Sequence, residues 1–143
     1  MAAGHGFSLR LSSAGRMSAG QRIALGFVFL YFLIGGACHF LYMPLFVQIV
    51  PPYIPFPLLA VVVSGVFELL GAIGVTIRRT RYAAGIGLTL LTIAVTPANI
   101  YMYQHADLFA DIPSWLLLVR LPLQIVLIAL ILWSTRRTTR RRI

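Results

Sequence analysis

Residues 58–77 read LLAVVVSGVFELLGAIGVTI, opened by Pro57 and closed by Arg78. A run of this length is what a helix needs to cross a bilayer core about 30 Å thick at about 1.5 Å per residue. One ionisable residue, Glu68, interrupts it near the middle. Three further stretches share the pattern: Ile23–Tyr42 (IALGFVFLYFLIGGACHFLY), about Tyr82–Tyr103 and about Pro113–Ser134. The expected fold class is therefore all-α, a polytopic membrane protein built as a four-helix transmembrane bundle. Ser18 is placed to cap the first helix, and proline opens the second and fourth at little cost, because first-turn N–H groups lack intrahelical partners.

Composition agrees with this reading. Of 143 residues, 59% are hydrophobic and 10% charged, with a mean hydropathy of +0.90. Soluble domains run about 45–50% apolar and about 25% charged, so an ordinary soluble enzyme is excluded, and global disorder with it.

The basic residues give the orientation. All 12 are arginine, against three acids, for a net charge of +9. Arg10, Arg16 and Arg22 precede the first span, Arg78, Arg79 and Arg81 fill the turn between the second and third, and Arg136, Arg137, Arg140, Arg141 and Arg142 follow the fourth. The loops Met43–Pro57 and Gln104–Ile112 contain neither arginine nor lysine. Such asymmetry places the arginine-bearing side, and both termini, in the cytoplasm. It also accounts for the basic pI without nucleic acid. An arginine-only basic set suggests a GC-rich, bacterial genome, hence the inner (plasma) membrane. The expected organisation is a disordered cytoplasmic arm over 1–20, a membrane domain over 21–135 and a basic cytoplasmic tail over 136–143. The loop segment QIVPPYIPFP, with four prolines in ten residues, is expected to be extended and rigid rather than helical.

Polar residues inside the spans mark the candidate site. They are His39, Glu68, Asn99, Arg120 and Gln124. A charge at mid-membrane costs several kcal/mol and is normally paired or faces a cavity. Counted from the outer helix ends at 1.5 Å per residue, Glu68 lies roughly 16 Å down, Arg120 roughly 10 Å and Gln124 roughly 16 Å. His39 and Asn99 fall in the outer third. The expectation is one ligand-binding pocket lined by all five, open outward beneath the Met43–Pro57 loop, with Arg120 and Glu68 paired. The plainer alternative is an ion pair and polar glue that only fix helix register. Pro97 is expected to kink the third span beside Asn99. Glycines 35, 36, 65, 71 and 74 are read as close-packing positions.

Cys38 is the only cysteine, so the chain cannot be a thiol–disulfide enzyme on its own. No HExxH, P-loop, GxSxG or dinucleotide fingerprint occurs. No metal site and no catalytic residue is indicated.

The segments GGACHF (Gly35–Phe40), IVPPYIPFP (Ile49–Pro57), SGVFELLGAIG (Ser64–Gly74), PANIYM (Pro97–Met102) and RLPLQ (Arg120–Gln124) resemble the DoxX and DoxX-like family of small membrane proteins. That resemblance implies a four-span bundle and an accessory or quinone-linked subunit of a membrane redox system, with quinone as the cofactor and a redox protein as partner. The alternatives are a non-enzymatic membrane binding or transport protein for a small amphipathic molecule, and an assembly chaperone for a membrane partner. The lipid bilayer is a partner in each.

Overall fold

A computed structural model describes residues 17–136. The greater part of the expected arm and tail lies outside the described residues, with Arg10, Arg16, Arg137, Arg140, Arg141 and Arg142.

Helix α1 spans Ala19–Leu41. Ser18 caps it as the sequence suggests: its Oγ accepts from the Gln21 N–H at 3.2 Å, and Gln21 Oε1 accepts from the Ser18 N–H at 3.0 Å. This reciprocal arrangement satisfies two donors of the helix start. A short helix, α2 (Met43–Gln48), follows. Then come α3 (Pro57–Thr76), α4 (Arg81–Ala94), α5 (Thr96–Gln104), a 3₁₀ turn at Ala106–Phe109, and α6 (Ser114–Thr135). No strand occurs among the described residues. Four segments are long and apolar enough to cross a membrane, with α4 and α5 together making the third over Arg81–Gln104. The outside of the bundle is studded with exposed Phe, Leu and Ile, including Leu30, Phe67, Leu70, Leu90 and Ile125. Such a surface suits lipid rather than water, and the chain is an integral membrane four-helix bundle.

The helices run up and down, so each packs on two neighbours: α1 on α3 and α6, and α4 on α3 and α6. One end carries Ser18 and Arg136, which flank the first and last helices. There Gln21 Nε2 donates to the Trp133 carbonyl at 3.3 Å. Arg81 closes the end of α3 by donating from Nε to the Val75 carbonyl at 2.8 Å and from Nη2 to that of Thr76 at 3.1 Å. These carbonyls have no intrahelical donor, which is why a basic side chain in the following turn is favourable. The other end carries α2 and the loops.

Two apolar clusters hold the bundle. Val28, Phe32, Ala72, Val75, Leu88, Leu127 and Ile131 pack in the half toward Ser18 and Arg136. Ile49, Met102, Phe109 and Leu117 pack at the loop end, with Phe46 and Ile112 against them. A polar layer lies between the two clusters.

One local expectation is corrected and another holds. The Met43–Pro57 connection is partly helical, and its proline-rich part is folded rather than extended: the Ile54 N–H bonds the Pro51 carbonyl at 3.0 Å, and Phe56 adopts a left-handed φ of 56°. Burial of Ile49 and Pro51 explains the difference, because seating those side chains bends the backbone inward. The third span is interrupted at Pro97, near Asn99, as expected. Its break falls at Val95, and Pro97 stands in the first turn of α5. Proline tolerates a helix start but not its interior, so the helix ends before it and restarts around it.

Candidate functional site

The polar layer surrounds a cavity of about 220 Å³ to which all four spans contribute. From α1 come Phe27, Tyr31 and Phe32, and from α3 comes Glu68. Thr92, Val95 and Asn99 form the wall at the helix break, and α6 supplies Arg120, Leu123, Gln124, Val126, Leu127 and Leu130. Four of the five residues singled out in the sequence thus share one cavity. His39 is not on its wall. It stands behind Glu68, with Nδ1 3.6 Å from the Glu68 Oε2.

Close helix approach puts Glu68 there. A Cβ on Gly35 would stand 2.9 Å from the Glu68 Oε2, and one on Gly65 would stand 2.8 Å from the His39 Cβ. The lack of a side chain at these two positions lets α1 and α3 come together with an acid and an imidazole between them, most strictly at Gly65, whose neighbour is a Cβ rather than the end of a flexible side chain. His39 is oriented by its own helix, since its Nδ1 lies 2.9 Å from the Gly35 carbonyl oxygen and therefore donates to it. Its ring stacks on Phe46 of α2, centroid to centroid 4.1 Å.

Gln124 is bound on every side. Its Nε2 donates to the Thr92 carbonyl and, at 2.8 Å, to the Thr96 hydroxyl, while its Oε1 accepts from Asn99 Nδ2 at 3.0 Å. These three partners flank the break between α4 and α5. In lipid an unpaired backbone carbonyl costs several kcal/mol, so the Gln124 amide does structural work at the interruption. It also presents Asn99 to the cavity.

Arg120 and Glu68 do not pair as expected from the sequence. The Arg120 Nη1 instead donates to the Met102 Sδ at 3.3 Å, and the group that approaches Glu68 is His39. The reason lies in the neighbours. Arg120 sits on α6, which packs on α5 and its Met102, whereas Glu68 sits on α3, which packs on α1 and its His39. Depth alone could not reveal that α3 and α6 are diagonal in the bundle.

The mouth also differs from expectation. No residue of the Met43–Pro57 loop lines the cavity. Phe46 and Ile49 pack on Met102, Phe109 and Leu117 and stopper that end. The exposed wall residues are Phe27 and Tyr31 on α1, and Arg120, Leu123 and Val126 on α6. The opening therefore faces sideways, between α1 and α6, onto the lipid-facing surface.

Sequence reading missed Tyr31, Thr92, Thr96 and Met102. Thr92 and Thr96 carry a legible signal, polar residues four apart just before Pro97. Tyr31 and Met102 look like ordinary apolar positions of their spans. Among the described residues no group of three or more His, Cys, Asp or Glu could hold a metal.

A family model described as Domain of unknown function (DUF8561) matches residues 28–136, most of the chain and all of the cavity wall except Phe27. The chain belongs to that family. No curated protein and no solved structure gives a significant match.

Proposed function

We propose that this DUF8561 protein is a membrane subunit that binds a small amphipathic ligand from the lipid phase, quinone-like in its head group, as an accessory or quinone-linked component of a membrane redox system. The observation that carries this reading is the sideways mouth. A polar pocket that opened to water would suit a soluble solute, but one that opens between α1 and α6 is reached from the acyl-chain region. The wall has the composition of a ligand site, mostly apolar with a few convergent polar groups. At about 220 Å³ it holds a head group rather than a whole long-tailed molecule, whose tail would remain in lipid. Asn99 and Arg120 offer donors to a carbonyl oxygen, and the DoxX resemblance points to the same class of partner. A non-enzymatic binding or transport protein would use the same mouth, and an assembly chaperone would not need it.

In this proposal both termini are cytoplasmic and the membrane is the bacterial inner membrane. The support is the distribution of eleven of the 12 arginines on one side of the four spans.

The experiment is solvent extraction of the purified protein from its own membranes, with mass spectrometry of the extract. A quinone recovered near one per chain, and lost with Arg120→Leu while the protein still folds, is the expected result. A folded protein whose extract holds no quinone above the level of an unrelated four-span protein overturns the redox reading.

A further inference from the structure

Glu68 and Arg120 face one cavity without forming an ion pair, and each is left short of partners. Among the described residues no hydrogen-bond donor reaches the Glu68 carboxylate. Its Oε2 is sealed against Gly35 and His39 without a hydrogen-bond partner, so Oε1, also without one, is the oxygen left to the cavity that Glu68 lines; the whole residue is 9% exposed. Arg120 carries five N–H donors and meets one weak acceptor, the Met102 thioether. Neither side chain is free to swing to the other at no loss. The Glu68 carboxylate is lodged against Gly35 and His39, and Arg120 lies over Met102.

An unpaired acceptor and an unsatisfied donor set inside a bilayer each carry a desolvation cost, and a molecule lying between them offers Glu68 Oε1 and the Arg120 guanidinium the partners they lack. Its chemistry is then specified at two ends. Toward Arg120 it presents an acceptor oxygen, which a guanidinium holds by charge-assisted hydrogen bonds. Toward Glu68 it presents a hydroxyl, which donates to the ionised carboxylate and accepts from the protonated carboxyl, whereas a second carbonyl could pair only with the protonated form. We propose that the cavity seats an amphiphile whose head group bears an acceptor oxygen and a hydroxyl on opposite sides, with its tail leaving between Phe27 and Tyr31 of α1 and Leu123 and Val126 of α6. This rests on the lipid-phase binding reading above and narrows its ligand to hydroxyl-bearing heads. For a ring that exists in oxo and hydroxy forms, the hydroxy form is the one held.

The test uses two probes, octyl 4-hydroxybenzoate and octyl 4-methoxybenzoate. They share the tail and the ester carbonyl; the methoxy compound has a methyl group in place of the hydroxyl hydrogen, so the Glu68→Leu variant separates the lost donor from the added bulk. Binding to the full chain in lipid nanodiscs is measured at equal membrane concentration of each. The hydroxy compound is expected to bind about tenfold tighter, the scale of one charge-assisted hydrogen bond. Glu68→Leu should erase that preference, and Arg120→Leu should weaken both compounds. Saturable binding of both with equal affinity overturns the head-group proposal and leaves the lipid-phase pocket standing. Saturable binding of neither overturns the pocket itself. Equal affinity on the parent protein overturns the proposal even if a variant fails to fold.

Discussion

His39 Nδ1 stands 3.6 Å from Oε2 of Glu68, between two helices brought together by Gly35 and Gly65. The imidazole and the carboxylate are each buried, and among the described residues theirs is the one acid–base approach within 4 Å. A double-mutant cycle tests whether they act as a unit. Residues in one polar network show interaction energies of about 0.5–3 kcal/mol. The His39→Leu/Glu68→Leu double variant should therefore be more stable than the sum of the single losses by about 1 kcal/mol. Unfolding in mixed micelles supplies the numbers, and strictly additive losses would show two independent residues.

The glycines separate close packing from mere composition. Gly65→Ala would push a Cβ to 2.8 Å from the His39 Cβ and 3.0 Å from the Phe40 ring. Overpacking of this kind costs about 1–3 kcal/mol. Gly26, with nothing within 4 Å, should accept alanine with no loss and a gain of up to about 1 kcal/mol from reduced chain entropy. Equal effects of the two substitutions on thermal unfolding would contradict the α1–α3 contact.

Gln124 and Arg120 lie four residues apart on α6 and should behave oppositely. Gln124→Leu removes the partner of the Asn99 amide and one of two partners of the Thr92 carbonyl, which keeps the Thr96 hydroxyl at 3.3 Å. Leaving such groups unpaired costs about 1–3 kcal/mol, so the variant should unfold markedly earlier. Arg120→Leu loses a thioether contact and takes a poorly satisfied charge out of the bilayer, so it should unfold no earlier than the parent while losing ligand. A stable Gln124→Leu protein would mean that the break at Val95 is held by something else.

The spans were legible because hydrophobic length is a one-dimensional property. Residues 58–77 could hardly be anything but a crossing helix, and α3 is observed over Pro57–Thr76. The polar set was legible for a related reason, since Glu68, Arg120, Asn99 and Gln124 stand out against an apolar background and meet in one cavity. Partner choice was not legible. Whether Glu68 meets Arg120 or His39 depends on which helices are neighbours, and hydropathy does not encode the order of helices around a bundle. The mouth was missed for the same reason. Phe46 and Ile49 look like loop residues in the sequence, and their burial against Met102 and Phe109 is a tertiary fact that closes the end expected to be open.

Orientation is testable at single residues, because Cys38 is the only native cysteine. In a Cys38→Ala background, Asp107→Cys should react in intact cells with a membrane-impermeant thiol reagent, and Arg79→Cys should react only after the cells are opened. The reverse pattern would invert the bundle and put the loop end in the cytoplasm.

The central claim is that the pocket is entered from lipid between α1 and α6. It is tested most directly by photolabelling in nanodiscs with an octyl 4-hydroxybenzoate carrying a diazirine at the tail end, followed by peptide mapping. The expected result is saturable labelling of Phe27, Tyr31, Leu123 and Val126 that unlabelled octyl 4-hydroxybenzoate competes away. Competed labelling on Phe46, Ile49 or Pro51 instead would place the entrance at the loop end and contradict the account.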